Sequence, residues 1–334
     1  MRIAVDAMGG DSAPDVEVAG AIQSIASLNG HEVLLVGNEE QITVSAQSAG
    51  GLPRGVKVLH ASQVVRMDDK PIEAMRRKPD SSIARCMDLV ASGEADAVVS
   101  AGNTGAVVAH AMLKLGLLEG VRRPGIAVGM PTTQNKMTLV IDCGANVKCT
   151  PEHLYQYGVM ASAYVHDVFG RERPTVGLLN IGEETIKGNV LVKQGHELLA
   201  ASELNFIGYV EGRDVFTGVA DVVVCEGFVG NVLLKVSEGL AEAMMKLMKE
   251  GIQRTLRRRI GAMLCKYAMI ELAARVDSSE FGGAPLLGVN GSCMICHGGS
   301  DSRAIANAIR NAAEAAADHV NEHIVAGIKT CCPT

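Results

Sequence analysis

Short apolar runs alternate along the chain with longer stretches of helical character. The runs are rich in Val, Ile and Leu rather than alternating with polar residues, which is typical of buried parallel strands. They predict strands at 3–5, 33–36, 56–59, 97–100, 126–129, 137–141, 175–180, 206–210 and 222–225. Helices are predicted at 15–28, 81–92, 105–118, 151–169, 189–202, 230–250 and 302–327, the last capped by Ser300 or Asp301. This alternation predicts an α/β protein with a doubly wound, mostly parallel sheet.

Residues 240–275 break this pattern as a basic amphipathic helical segment. The segment holds eight Lys or Arg and three Glu, a balance of 8 − 3 = +5. The 334-residue chain carries a net charge of −6, so the remainder carries −6 − 5 = −11. Apolar residues from Ile252 onwards recur at helical spacing and predict one apolar stripe on a protruding segment. The residues expected to contact a membrane or a partner are Ile252, Arg254, Leu256, Arg257, Arg258, Ile260 and Met263.

Composition narrows the class of protein. No run reaches the ~18 apolar residues of a spanning helix, and we expect no signal peptide, because no basic region precedes a long apolar stretch. Nine Cys without an export signal indicate free cytosolic thiols. An acidic chain with 3% aromatic residues lacks the features of a general nucleic-acid binder. We therefore expect a cytoplasmic enzyme that acts on small molecules.

Loops rich in Gly, Asn and Thr follow five of the predicted strands. Glycine lets backbone amides approach a ligand, and helix N-termini attract anions. Because ligands bind beyond the carboxyl ends of parallel strands, we expect these loops to share one edge and one phosphate site. The alternative is that each loop is an ordinary tight turn. The candidate phosphate contacts are Gly9, Gly10, Gly102, Asn103, Thr104, Gly105, Asn146 and Asn180.

Other motifs point to no metal and no cofactor. Neither G-x-x-x-x-G-K-[ST] nor a G-x-G-x-x-G after a strand occurs. Residues 293–297 match the C-x-x-C-H haem spacing, but no export signal accompanies them and their Met-Ile pair suits a buried strand. A zinc site lacks a second close ligand pair. A nucleophilic Cys143 or Cys225 stays as an alternative to a small buried hydrophobe.

The loops together resemble a known family. The motifs are DAMGGD at 6–11, GNTGA at 102–106, GAN at 144–146, LLNIGEE at 178–184 with KGN at 187–189, GFVGN at 227–231, GGAPLLG at 282–288 and CHG at 296–298. In this order they resemble the PlsX phosphate acyltransferases from residue 1 to about residue 327. Glu226 stands where the family pattern more often has Asp.

The resemblance implies transfer of a fatty acyl group from the thioester of acyl carrier protein to inorganic phosphate. The acyl phosphate product would pass to a membrane glycerol-3-phosphate acyltransferase in phospholipid synthesis. It also implies the fold of phosphate acetyltransferases and isocitrate/isopropylmalate dehydrogenases, as one unit over 1–334 with one or two subdomains around a cleft. A homodimer, peripheral membrane contact and no cofactor are further implications.

The candidate catalytic residues are Lys187, Asn231 and His297. Lys187 supplies the cation for phosphate or for the developing oxyanion, and Asn231 is the neutral donor; the resemblance supports both roles. His297 is either a general acid for the leaving thiolate or a structural histidine at a strand end. Asp6 and Asp11 are expected to orient Lys187 or to cap a helix.

Several alternatives stay open. The second enzyme class is a short-chain phosphotransacetylase that uses coenzyme A, and the third is a non-catalytic or oxidoreductase relative of the dehydrogenase fold. Segment 240–275 has three interpretations: a surface or dimer-contacting helix pair, an interfacial membrane helix, or a docking site for the acidic acyl carrier protein.

Overall fold

The described part of the chain forms eleven strands and twelve α-helices. The computed structural model describes residues 1–25, 30–184, 186–276 and 282–331. The strands are β1 (Arg2–Asp6), β2 (Glu32–Gly37), β3 (Val56–His60), β4 (Ala97–Ser100), β5 (Gly125–Pro131), β6 (Met137–Ile141), β7 (Thr175–Leu179), β8 (Asn205–Val210), β9 (Val222–Val224), β10 (Ala284–Leu287) and β11 (Ser292–Ile295). The helices are α1 (Asp15–Ile25), α2 (Glu39–Ser48), α3 (Pro71–Arg77), α4 (Ser82–Ala91), α5 (Thr104–His110), α6 (Pro151–Phe169), α7 (Val190–Ala200), α8 (Gly227–Gln253), α9 (Leu256–Leu264), α10 (Lys266–Val276), α11 (Ser302–Ala317) and α12 (Val320–Cys331).

All eleven strands form one sheet in the order β3-β2-β1-β4-β11-β10-β5-β6-β9-β7-β8. The strands from β3 to β11 in this order are mutually parallel. Strand β10 is antiparallel to both its neighbours, and β5 is antiparallel to β6. Strands β6, β9, β7 and β8 are again mutually parallel. The sheet is therefore mostly parallel, as predicted, but its two halves run in opposite directions.

Helices cover both faces of the sheet, which explains the apolar strands. Neighbouring residues of β1 point to opposite faces, and Ile3, Ala4 and Val5 are all buried. Ile3 and Val5 pack in a core with residues of α1, α2 and α11, whereas Ala4 packs in a core with residues of α4 and α5. A third core lies beneath α6, α7 and α12.

Most predicted elements are present with small shifts. All nine predicted strands are confirmed, while β10, β11, α2 and α3 lack a matching strand or helix prediction. The predicted helix 302–327 is two helices, α11 and α12, because His319 between them adopts a φ of 54°. Asp301 caps α11 by accepting a hydrogen bond from the Ala304 amide at 2.8 Å. The predicted end of the first helix, 26–28, lies outside the described residues.

The basic segment leaves the body of the protein along α8. Of the 27 residues of α8, only Gly227 and Gly230 are buried. The prediction of one continuous stripe is wrong, because the segment folds into three helices. Thr255 caps α9 by accepting a hydrogen bond from the Arg258 amide at 3.3 Å, and Cys265 ends that helix. Among the described residues, no helix is long and apolar enough to cross a membrane.

Candidate active site

The glycine-rich loops do not share one edge of the sheet. Loops after β1, β4 and β11 lie at one edge and hold Gly9, Gly102 and His297. Loops after β6, β9 and β7 lie at the opposite edge, because these strands run the other way. They hold Asn146, Asn231, Asn180 and Lys187. We call these sets the first and second loop groups. The expectation of one shared edge within a chain is therefore wrong.

The first loop group is built on close contact between backbones. A Cβ on Gly9 would lie 2.7 Å from the Gly102 nitrogen, so the first turn must be glycine where the two loops touch. The Gly102 amide donates a hydrogen bond to Ser100 Oγ at 3.1 Å. The Asp11 amide donates to the Gly298 carbonyl at 2.9 Å and joins the third loop to the group.

Most polar side chains of the first loop group already have structural partners. Asn103 caps α5 by accepting from the Ala106 amide, and its Nδ2 donates to the carbonyls of Met67 and Asp69 at 2.9 and 3.1 Å. Thr104 and Gly105, in the first turn of α5, are exposed. Exposed His297 accepts a hydrogen bond at Nδ1 from the Gly299 amide at 3.2 Å.

Two buried carboxyl groups lie behind the Gly9–Gly10 turn. Asp6 accepts a hydrogen bond from Ser100 Oγ at 2.7 Å, and burial raises the pKa of its carboxyl group. Burial also raises the pKa of Glu17 to about 7, and no hydrogen-bond donor among the described residues reaches its Oε2. Asp6 was predicted to orient Lys187 or to cap a helix, but Lys187 lies at the other edge of the sheet; no role was predicted for Glu17. If ionised, the Asp6 and Glu17 carboxylates would repel an anion bound at Gly9 and Gly10.

The second loop group is organised by the buried Asp142. Its carboxylate accepts hydrogen bonds from four backbone amides, those of Ile126, Gly144, Ala145 and Asn146, at 2.8–3.0 Å. Burial raises the pKa of Asp142, while these four hydrogen bonds act against the rise. The Asn146 side chain donates to Tyr157 Oη at 2.9 Å and to the Pro124 carbonyl. Asn146 thus holds the loop, and its predicted phosphate contact stays a prediction.

Asn231 lies in the first turn of α8, directly against the Asp142 loop. Helix α8 packs closely against this loop at Gly230, since a Cβ at that position would lie only 1.9 Å from the Asp142 carbonyl oxygen. Glu226 caps α8 by accepting hydrogen bonds from the amides of Phe228 and Val229 at 2.9 and 3.1 Å. The longer carboxylate at Glu226 therefore still makes a cap. The exposed Asn231 side-chain amide has no hydrogen-bond partner among the described residues, so it is available to donate to a ligand.

Lys187 lies in the loop between β7 and α7. Strand β7 neighbours β9 in the sheet. Its Nζ pairs with Glu184 Oε2 at 2.7 Å, and its side chain folds back against Gly182. The hydrogen bond from Lys187 to Glu184 raises the lysine pKa, so the ammonium is charged. Asn180 donates from Nδ2 to the Gly182 carbonyl at 3.0 Å and holds the loop. Glu184 was not among the predicted site residues, although its i,i+3 spacing to Lys187 is visible in the sequence.

The cysteines near the second loop group are buried neutral thiols. Burial raises the pKa of both Cys143 and Cys225, Cys225 well above its ordinary value. Cys225 Sγ also donates to the Asp142 carbonyl at 3.5 Å. A thiol held neutral is a poor nucleophile, so the geometry disfavours an acyl-enzyme. Cys293 and Cys296 are likewise buried, each in a different core.

The predicted contact residues of segment 240–275 fall on two helices and the link between them. Ile252 lies near the end of α8, Arg254 lies between α8 and α9, and the remaining five lie on α9. Leu256, Ile260 and Met263 expose 73%, 51% and 71% of their surface, so α9 presents apolar and basic side chains together.

Comparison with known proteins finds a matching family and close relatives over most of the chain. The family described as "Fatty acid synthesis protein" matches residues 1–323. A Geotalea daltonii protein named "Phosphate acyltransferase" is 49% identical over 325 residues, which cover 97% of this chain and 93% of the relative. A Desulfitobacterium hafniense protein of the same name is 51% identical over 315 residues, 94% of this chain and 93% of the relative.

Solved structures show the same fold at low sequence identity. A phosphotransacetylase from Streptococcus pyogenes superposes with a TM-score of 0.62 at 17% identity, covering 94% of each chain. A 4-hydroxythreonine-4-phosphate dehydrogenase from Klebsiella pneumoniae has a TM-score of 0.55 at 13% identity, covering 94% of this chain and 98% of its own. The fold is that of the phosphotransacetylases, as predicted, with a lysine and an exposed amide at one sheet edge. The chain belongs to the PlsX family of phosphate acyltransferases, which supports acyl transfer to phosphate as its activity.

Proposed function

We propose that this protein transfers a fatty acyl group from acyl carrier protein to inorganic phosphate, and that the acyl phosphate feeds phospholipid synthesis. One observation carries the proposal. Lys187 follows strand β7 and Asn231 follows the neighbouring strand β9, so both lie at the same edge of the sheet; Lys187 is half-buried and Asn231 is exposed. Phosphate binding and a developing oxyanion require a cation and a neutral hydrogen-bond donor, and this edge supplies both.

The reaction proceeds by direct attack of phosphate on the thioester. A phosphate oxygen forms a bond to the carbonyl carbon, and the C–S bond then breaks to release the carrier thiolate, which takes up a proton. Lys187 binds the phosphate and Asn231 donates to the carbonyl oxygen as it becomes negative. The buried, protonated Cys143 and Cys225 favour this single displacement over an acyl-enzyme.

Exposed apolar residues around this pair support a long acyl chain. Ile181 and Ile186 flank the Lys187 loop and expose 80% and 81% of their surface. Val147 in the Asp142 loop and Phe228 beside Asn231 expose 69% and 59%. Large exposed apolar side chains grouped at one edge mark a surface that an apolar ligand or partner covers.

Removal of the ammonium group tests the assignment. The Lys187→Ala variant, incubated with palmitoyl-carrier protein and phosphate, is expected to form no acyl phosphate, trapped as the hydroxamate. Lys193→Ala removes an exposed lysine on the following helix and is the matched control, with normal turnover expected. Near-normal product formation by Lys187→Ala would contradict the role.

The competing function is that of a short-chain phosphotransacetylase. The structural neighbours favour it, because the Streptococcus pyogenes protein carries that name. The same hydroxamate assay with acetyl-coenzyme A in place of palmitoyl-carrier protein separates the two. A preference for acetyl-coenzyme A would replace the carrier-protein proposal while leaving acyl transfer to phosphate intact.

We also propose that the protein is a homodimer that associates peripherally with the cytoplasmic membrane face. Along α8, Val232, Val236 and Leu240 expose 46%, 63% and 59% of their surface, which supports packing against a second copy. On α9, Ile260 beside Arg257 and Arg258 supports contact with anionic lipid. A membrane position suits hand-over of the product to a membrane glycerol-3-phosphate acyltransferase.

Vesicle flotation tests the membrane proposal. The protein is expected to float with anionic vesicles, and Ile260→Glu is expected to abolish this by placing a charge in the apolar contact. Flotation that is unaffected by Ile260→Glu would count against α9 as the contact and favour its role as a carrier-protein dock.

A further inference from the structure

Residues of helices α8, α9 and α10 line an open apolar groove of about 440 Å³. The groove lies on the protruding segment, apart from both loop groups. Of the predicted contact residues, Ile252 and Arg258 line the groove, whereas Leu256, Ile260 and Met263 do not, so the groove is a different surface from the apolar face of α9. The lining residues are Met248, Gly251, Ile252, Arg258, Gly261, Ala262, Cys265 and Met269.

The lining suits an unbranched apolar chain. Met248, Ile252 and Met269 are half-buried and provide flexible apolar walls, since methionine adapts to irregular ligands. Gly251 and Gly261 leave the space open because neither has a side chain. No lining residue is acidic, and the volume falls within the ~300–1,000 Å³ of small-molecule sites.

The lining of the groove contains one cationic side chain. Arg258 lines the groove, and its Nη1 donates to the Gly251 carbonyl at 3.0 Å, which fixes the guanidinium at the groove. Arg257 and Arg259 flank Arg258 in the sequence. A guanidinium presents several donors in a plane and suits a phosphate group.

We propose that this groove binds one molecule of acyl phosphate, with the chain along Met248, Ile252 and Met269 and the phosphate at Arg258. The identity of the ligand rests on the proposed function, since acyl phosphate is its product. The ligand is an anionic single-chain amphiphile: the apolar walls suit its acyl chain, and the Arg258 guanidinium suits its phosphate. The groove thus retains the product on the segment that is proposed to face the membrane.

Cys265 reports occupancy of the groove, because it lines the groove and its residue is exposed. Six further cysteines are buried or half-buried, namely Cys86, Cys143, Cys149, Cys225, Cys293 and Cys296. Dodecyl phosphate, used below its micelle concentration, stands in for acyl phosphate because it lacks a reactive carbonyl. We expect it to slow alkylation of Cys265, measured by peptide mass spectrometry, about tenfold at ten times its Kd.

Two variants tie the protection to the groove. A Cβ on Gly261 meets no atom within 4 Å, so Gly261→Leu fills the groove without a clash and is expected to abolish protection. Gly239→Leu is the matched control, because Gly239 lies on α8 outside the groove and is equally open. Arg258→Gln is expected to weaken protection by dodecyl phosphate and to leave protection by dodecanol unchanged.

Three results would overturn the proposal. Protection by anionic vesicles but not by dodecyl phosphate would show that a membrane covers the groove. Protection that rises with protein concentration alone would show that a second copy covers it. Equal protection in Gly261→Leu would place the ligand elsewhere. The hydroxamate assay on the same samples separates this outcome from failure of the proposed function, because groove protection needs no turnover.

Discussion

Replacement of Glu17 by Gln is expected to stabilise the protein at alkaline pH. Burial raises the pKa of Glu17 from 4.5 to about 7, so the native state holds the proton more tightly than the unfolded state does. Stability therefore falls as pH rises from about 4.5 to about 7. A pKa raised from 4.5 to about 7 corresponds to about 3 kcal/mol of unfolding free energy lost above pH 7. A neutral amide avoids that loss.

Urea unfolding at pH 5 and pH 8 measures the effect. Glu17→Gln should gain about 3 kcal/mol over the unmodified protein at pH 8 and less than about 1 kcal/mol at pH 5. Glu40→Gln, an exposed glutamate in the first turn of α2, is the control and should show no such pH-dependent gain. An equal gain at both pH values would refute ionisation as the cause, and a loss at pH 8 would show that Glu17 is ionised and engaged.

Two further predictions concern the second loop group. Glu184→Gln removes the carboxylate that competes with phosphate for Lys187, so steady-state kinetics should show a KM for phosphate lowered a few-fold; a raised KM would mean that Glu184 positions the lysine. Glu226→Ala removes the cap of α8 and should cost about 1 kcal/mol in urea unfolding, whereas Glu226→Asp should retain most of it. Equal losses in both variants would contradict the capping role.

Most of the fold follows from local pattern. Nine buried apolar runs predicted nine strands, because a strand covered on both faces has no polar side. Strand β10 contains Pro285, a residue that argues against a strand inside a sheet, and it was not predicted. Strand β11 was indicated only by the Met-Ile pair between Cys293 and Cys296. The reversal of the second half was visible but overlooked. Residues 130–136, between two predicted strands, are too few for the crossover that a parallel pair needs.

The site was predicted in its residue types more than in its arrangement. Lys187 and Asn231 emerged from motifs, and the structure places both at the second loop group. The structural roles of Asn103 and Asn146 could not be predicted from local sequence, because their side chains donate hydrogen bonds to distant carbonyls. The carbonyls are 34 to 37 positions away for Asn103 and 22 positions away for Asn146. Likewise, the burial of Glu17 depends on α1 packing over the Gly9–Gly10 turn, which no local spacing encodes.

The opposed loop groups also change the chemistry expected of His297. Within one chain this histidine lies at the edge away from Lys187, so it is not placed to protonate a thiolate that leaves there. The proposed reaction does not need a histidine to protonate the leaving thiolate. A thiol has a pKa of about 8.5, so the departing thiolate is a weak base and takes a proton from water near neutral pH. The harder requirement is to hold phosphate, an anion, against an acidic loop containing Glu183 and Glu184. Under the proposed role of Lys187, phosphate must displace Glu184 from the ammonium, and that ion pair is then the contact on which phosphate binding is expected to depend.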